Sequence, residues 1–180
     1  MEPDRFEKKR NDINFWLSNI DSKVSFSLAF VGIIIGFIFS SDTTDTTVSF
    51  YINEITENIT LTIITINFLI FILSILFLFL SLIFFLRSLK ARYQNKKELD
   101  KKLTDKSFLF WGTIAETRNF SEFKSAFISN NTTDKENDFL SQIYINSKIT
   151  QKKFNYYNKG LWCLMIGTSL FILFKLISYF

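Results

Sequence analysis

Residues 61–86 read LTIITINFLIFILSILFLFLSLIFFL, and this stretch decides the fold of the chain. It contains no charged residue, and nearly all of its side chains are aliphatic or aromatic. A helix of about 26 residues is about 39 Å long at 1.5 Å per residue, which exceeds the roughly 30 Å hydrocarbon thickness of a bilayer. The stretch therefore predicts a membrane-spanning helix.

Two further apolar stretches are long enough to cross a bilayer. Residues 24–40 lie between Lys23 and Asp42 and carry no charge, and residues 161–180 are interrupted only by Lys175, whose stem can snorkel to the interface. The leader before the first stretch has four acidic residues within its first 12 positions, unlike the basic start of a signal peptide, so we expect the first span to be retained. Three spans predict an all-α integral membrane protein.

The distribution of Lys and Arg predicts the orientation. Residues 1–23 hold five of them and residues 87–159 hold 15, whereas residues 41–60 hold none. Since cytoplasmic segments retain positive charge, we expect the N-terminus inside, the C-terminus outside and the protein in a bacterial inner membrane. The predicted segments are a cytoplasmic amphipathic helix (1–23), a first span (24–40), an external acidic loop (41–60), a second span (61–86), a cytoplasmic helical segment continuous with the second and third spans (87–160) and a third span (161–180).

Small and polar residues recur at helical spacing within the spans. The first span contains a small-xxx-small pair, which lets a neighbouring backbone approach closely. The second repeats a polar residue every seven positions, which places these residues in one stripe. The stripe fits either a compact bundle whose small faces meet or a subunit interface that could open a water path, and an Asp–Lys pair before the first span fits a gate or a structural contact. These packing or gating positions are Asp21, Lys23, Gly32, Gly36, Asn67, Ser74 and Ser81.

The residue inventory argues against an enzyme. There is no His, which removes Ser-His-Asp and Cys-His nucleophile systems and His-metal sites. The single Cys, Cys163, lies in an apolar run and is expected to be a small buried hydrophobe. No Gly-rich phosphate loop and no paired-carboxylate motif is present. We therefore expect no catalytic residue, no metal and no cofactor.

The polar segment after the second span predicts helices around an aromatic stretch. Residues 107–115 are aromatic and contain a Gly, and Ser121 is expected to cap a short helix. A capping box at Thr133 and Glu136 then opens a long helix without Pro or Gly until Gly160. This helix is predicted to be apolar on two sides and therefore to lie between two partners. One strip comprises Phe139, Leu140, Ile143, Tyr144, Phe154 and Tyr157, and the second comprises Ile145, Ile149 and Tyr156.

Four ordered stretches carry a resemblance to a known family. They are residues 16–23 (WLSNIDSK), 28–37 (LAFVGIIIGF), 108–115 (FLFWGTIA, with Phe123 after it) and 138–149 (DFLSQIYINSKI, with Lys153 and Phe154 after it). In order and spacing they are similar to the Pycsar transmembrane effectors. The chain departs from that family's pattern by having Val31 in place of Asn and Thr113 in place of Asp.

The resemblance implies a function in anti-phage defence. Such effectors are paired with a cyclase that makes a cyclic pyrimidine nucleotide on infection, and they sense it and disrupt the inner membrane, which kills the cell before phage matures. The implied activating ligand is cyclic CMP or cyclic UMP. The implied partners are the lipid bilayer, that nucleotide and further copies of the chain, with no nucleic acid. The alternative is a non-effector membrane protein, such as an assembly factor, an anchor or a transporter subunit.

A nucleotide site would combine Arg or Lys with aromatic or amide groups, because a cyclic nucleotide has one phosphate charge and a flat base. Each candidate also has an ordinary structural interpretation, as packing, solvated surface or a helix–helix hydrogen bond. The candidate ligand-binding residues are Trp111, Arg118, Gln142, Lys148 and Lys153.

Overall fold

The computed structural model describes residues 3–40, 61–91, 103, 107–129 and 132–179. Of these residues 91% are helical, and none of them is in a strand. The all-α class is confirmed. The predicted external loop lies outside the described residues.

Five helices make up the described chain: α1 (Pro3–Ile38), α2 (Leu61–Lys90), α3 (Trp111–Ala115), α4 (Phe120–Ser129) and α5 (Thr132–Tyr179). Three of them, α1, α2 and α5, are long and apolar enough to cross a membrane. This agrees with the three spans predicted from the sequence and confirms their number.

The chain divides into two compact units. The first comprises Met1–Ile20 and Ala91–Lys153, and the second comprises Asp21–Lys90 and Phe154–Phe180. Helices α1 and α5 contribute residues to both units.

In the second unit, helices α2 and α5 pack in an antiparallel register. The amide Nδ2 of Asn67 donates a hydrogen bond to Ser178 Oγ over 3.0 Å. One turn away the rings of Phe71 and Phe174 lie 4.7 Å apart between centroids. The same register brings α2 against two glycines of α5. The α2 contacts lie at residues 67, 71, 78 and 85, and the seven-residue steps among them match the heptad period of coiled-coil packing.

This register pairs large side chains with glycines. A Cβ placed on Gly160 would lie 2.7 Å from the ring of Phe85, and one on Gly167 would lie 3.0 Å from Cγ of Leu78 and 3.1 Å from its backbone nitrogen. Phe85 is fully buried and Leu78 nearly so. The helices can approach this closely only because both α5 positions lack a side chain.

The polar stripe of the second span is buried within the chain. Ser74, Ser81 and Ser88 are fully buried. The hydroxyls of Ser74 and Ser81 donate to backbone carbonyls three residues earlier, at 2.8 Å each, which satisfies them inside their own helix. Small side chains at these positions keep the helix surface narrow where it meets its neighbour.

The first span buries a different face from the one that carries its small residues. Val24, Val31 and Ile38, spaced by seven residues, are buried. Gly32 and Gly36 are exposed, and a Cβ on either would have no atom within 4 Å among the described residues. The interpretation in which all small faces meet inside one bundle therefore does not hold for α1, because its β-branched face takes the packing position.

Candidate ligand-binding site

A buried carboxylate ties the aromatic stretch to helix α5 in the first unit. Asp138 is 2% exposed, and its Oδ2 accepts a 2.8 Å hydrogen bond from the backbone N–H of Phe108. Ser107 is also buried, and its Oγ accepts from the N–H of Leu109 at 3.1 Å. The hydroxyl of Thr113 donates to the carbonyls of Ser107 and Phe110. Thr113, where the family pattern has Asp, thus closes the loop on itself.

An aromatic cluster holds helix α4 beside this loop. The ring centroids of Phe108, Phe123 and Phe127 lie between 5.7 and 6.5 Å from one another. The ammonium of Lys135 lies 5.5 Å from the centroid of the Phe127 ring, within range of a cation–π contact. The loop, α4 and the start of α5 therefore form one packed substructure.

The cap of α4 differs from the predicted one. The side-chain oxygen of Asn119 accepts the N–H of Glu122 at 2.9 Å, and Glu122 accepts the N–H of Arg118 at 3.1 Å. The prediction that Ser121 caps the helix is wrong, since α4 already includes it. Asn and Ser are about equally good N-caps. Asn119 has a glutamate three residues later whose carboxylate accepts a backbone N–H beside the cap, and Ser121 has Lys124 at that position.

The buried face of α5 in the first unit is polar. Asp138 Oδ1 and Gln142 Nε2 are buried and have no hydrogen-bond partner among the described residues, and they are one turn apart on the same face. Ser141 and Lys153 are buried as well. Leaving Asp138 Oδ1 and Gln142 Nε2 unpaired is costly, so these two atoms are natural points for a ligand or a rearranged contact to satisfy.

The predicted apolar face of α5 is correspondingly wrong for its exposed members. Leu140 is 49% exposed, and Tyr144 and Phe154 are also exposed. Ile145, which directly follows Tyr144 in the sequence, is buried. Ile145 belongs to the second of the two predicted apolar strips, and it is buried on the same face as Asp138 and Gln142.

The five candidate ligand-binding residues do not converge. Arg118 and Lys148 are exposed, and the Lys148 ammonium lies 5.4 Å from the ring centroid of Tyr144. Gln142 and Lys153 share the buried face of α5, but eleven residues separate them by about 16 Å along the axis. The side chain of Trp111 lies outside the described residues. In this conformation the set therefore does not line one small pocket.

A cleft between α1 and α5, which sequence reasoning missed, lies in the same unit. Its volume is about 500 Å³, within the usual range of ligand sites. The spacing of its α1 members, 5, 8, 9 and 12, was the available signal, because residues at those positions share one helical face. It is lined by Arg5, Phe6, Lys8, Lys9, Asp12, Leu140 and Ile143.

Two contacts fasten the walls of this cleft. The guanidinium of Arg10 lies 5.2 Å from the ring centroid of Phe139. Asn146 Nδ2 donates to Asn14 Oδ1 at 3.1 Å. The two helices are thus held side by side without a ligand between them.

The predicted packing or gating residues on α1 lie in the second unit. Asp21 is partly buried and its backbone carbonyl accepts the hydroxyl of Ser25 at 2.9 Å, whereas Lys23 is exposed. Cys163 is a partly buried free thiol. Within the part of the chain that the structure describes, no cluster of three or more His, Cys, Asp or Glu residues could hold a metal ion.

Comparison with known proteins gives a consistent result. The family model described as Pycsar effector protein domain matches residues 5–179. The chain is 36% identical over 167 residues to the Pycsar effector protein GmPycTM of Gulbenkiania mobilis, an alignment that covers 89% of this chain and 85% of the relative. No solved structure matches the chain.

Proposed function

The chain belongs to the Pycsar effector protein family, and on this premise we propose that it senses a cyclic pyrimidine nucleotide made by a partner cyclase and then disrupts the bacterial inner membrane. Membership of the family makes the chain an anti-phage defence effector, and its three long apolar helices make it a multi-pass membrane protein. Loss of membrane integrity stops phage production by killing the infected cell.

One observation carries the proposal beyond the family name. Helices α1 and α5, which border the cationic cleft, are also two of the three helices that can span a membrane. A ligand that changes the spacing between α1 and α5 in the first unit would therefore act on two helices that are long and apolar enough to cross the bilayer. Rigid helices with two alternative packings are the usual carriers of such coupling.

The orientation supports an intracellular signal. Residues 1–23 and 87–159 hold 20 of the 21 Lys and Arg residues, so the positive-inside rule places the first unit in the cytoplasm. A nucleotide made in the cytoplasm would meet the cleft there. The C-terminus is then outside.

The membrane step is proposed to need several copies. A Cβ on Gly32 or Gly36 would have no atom of the described residues within 4 Å, and the two glycines form the small-xxx-small pattern that promotes helix association in lipid. A water-filled channel needs more helices around it than one copy of the chain supplies. Association of several copies through α1 would supply them. Pore formation and general disruption differ in the sizes of solute released.

A proteoliposome assay tests the proposal. The purified chain is reconstituted with an encapsulated dye, and cyclic CMP, cyclic UMP and cyclic AMP are added separately. Release triggered by a pyrimidine nucleotide, with less or none from cyclic AMP, is the expected result. A series of dyes of increasing size then separates a pore from general disruption. Intact liposomes under every nucleotide, with insertion verified by protease protection, would overturn the proposal and favour a non-effector membrane protein.

A further inference from the structure

We infer that the cleft lined by Arg5, Lys8, Lys9 and the apolar floor of α5 binds a phosphodiester monoanion that carries a flat or apolar group. This inference rests on the proposed function where the ligand is a nucleotide, and it locates the site that the sequence candidates did not converge on.

The cleft combines the two chemistries that such a ligand needs. Three cationic side chains of α1 line one wall, and Asp12 is the one acidic side chain among the described lining residues. Phe6, Leu140 and Ile143 supply an apolar surface. Cations bind phosphate oxygens, while an aromatic and aliphatic floor accepts the face of a base. Asp12 can accept a hydrogen bond from a base amine or a sugar hydroxyl.

The cationic side chains of the cleft lie at the end of α1 where the helix macrodipole disfavours positive charge. Helix α1 begins at Pro3, so Arg5, Lys8 and Lys9 lie in its first two turns, where the macrodipole is already positive. Arg5 also repels Lys8 and Lys9, which are three and four residues away on the same face. The four acidic residues among the first 12 positions offset part of this repulsion, but Asp12 is the one acid among the described lining residues of the cleft. A bound anion would add a second attraction at the cleft itself.

The cleft is preorganised. The Arg10–Phe139 contact at 5.2 Å and the Asn14–Asn146 hydrogen bond at 3.1 Å hold α1 against α5 beside the lining residues. Arg10 additionally keeps its Nε buried without a partner among the described residues, so positive charge extends from the rim toward the interior. A ligand therefore need not pull the helices together, which spares the ordering cost of binding.

Two natural phosphodiester monoanions share this chemistry: a free cyclic nucleotide and the headgroup of an anionic phospholipid. The experiment separates them by binding assays on the full chain in nanodiscs. One arm titrates cyclic CMP, cyclic UMP and cyclic AMP against nanodiscs of zwitterionic lipid. The other arm measures retention of phosphatidylglycerol over phosphatidylcholine by the purified chain.

The test variant is K8Q/K9Q, and the matched control is K124Q/K159Q, which removes two exposed cations outside the cleft. We expect K8Q/K9Q to weaken binding by at least about tenfold, and the control to change it by less than about twofold. L140A, which leaves the charge unchanged, is expected to weaken nucleotide binding several-fold by shortening the floor. Helical circular dichroism of each variant verifies folding.

The outcomes are distinguishable. Nucleotide binding by the wild type that K8Q/K9Q leaves unchanged would overturn the site while the proposed function stands. Retention of phosphatidylglycerol that depends on Lys8 and Lys9, without nucleotide binding, would support the cleft as a lipid-headgroup site and count against the proposed nucleotide sensing. If neither probe binds the inserted wild type, both the site and the nucleotide sensing are refuted.

Discussion

Replacing Gly160 by Ala tests the close packing of α2 and α5. The new Cβ would lie 2.7 Å from Cδ1 and Cε1 of Phe85, well inside van der Waals contact. Phe85 is fully buried, and its ring lies 5.9 Å from that of Tyr157 between centroids, so it has little room to withdraw. Overpacking of this kind costs about 1–3 kcal/mol.

Part of that cost is offset by helix propensity. Ala is favoured over Gly inside a helix by up to about 1 kcal/mol. The net expectation for G160A is therefore a free energy of unfolding lower by about 1–2 kcal/mol. Gly36 provides the matched control, because it also lies in a helix long and apolar enough to span a membrane, but its added Cβ would meet no atom of the described residues within 4 Å. For G36A we expect no loss, or a gain of up to about 1 kcal/mol.

The assay is reversible unfolding of the purified chain in mixed detergent–SDS micelles, followed by helical circular dichroism. Both variants are compared with the wild type at the same micelle composition, so that only the packing term differs. Opposite signs for G160A and G36A are expected. If G160A were as stable as G36A, the register that places Gly160 against Phe85 would be refuted.

Three further predictions concern single contacts. D138A removes the acceptor for the N–H of Phe108 and is expected to destabilise the loop by about 1–3 kcal/mol, seen as faster hydrogen exchange of that amide; unchanged exchange would contradict it. N119A is expected to lower the stability of α4 by about 1 kcal/mol, whereas S121A stays within about 0.5 kcal/mol, and equal effects in thermal unfolding would reject the Asn119 cap. N67A removes the hydrogen bond to Ser178 and is expected to cost about 0.6 kcal/mol in detergent unfolding, and an effect near zero would argue against that bond.

The spans could be predicted because their signal is long and redundant. Residues 61–86 need no tertiary information to be recognised, since any helix of that length and apolarity will partition into a bilayer. The seven-residue polar stripe likewise identified Ser74 and Ser81 as one face, which the structure buries. The sequence alone did not distinguish a contact within one bundle from an interface between subunits. The α5 residues that α2 contacts lie about ninety positions further along the chain.

The candidate site was less predictable because it depends on tertiary contacts. Hydrophobic spacing predicted two inward strips on α5, and it could not show that Asp138 would be buried between α5 and the loop by its hydrogen bond with the N–H of Phe108. The cleft required α1 to lie beside Leu140 and Ile143, a pairing of residues more than 130 positions apart. A run of cations near a helix start is ordinarily read as a solvated flank, so Arg5 and Lys8 did not stand out.

The most direct test of the account is membrane integrity in living bacteria. The chain is expressed together with a pyrimidine nucleotide cyclase or with a catalytically inactive version of it, and propidium uptake and membrane potential are followed over time. We expect propidium uptake and depolarisation when the chain is expressed with the active cyclase, and neither when it is expressed with the inactive one. The K8Q/K9Q variant is expected to show neither effect even with the active cyclase. Intact, polarised membranes with the active cyclase, in cells where the protein is shown to be inserted, would contradict it.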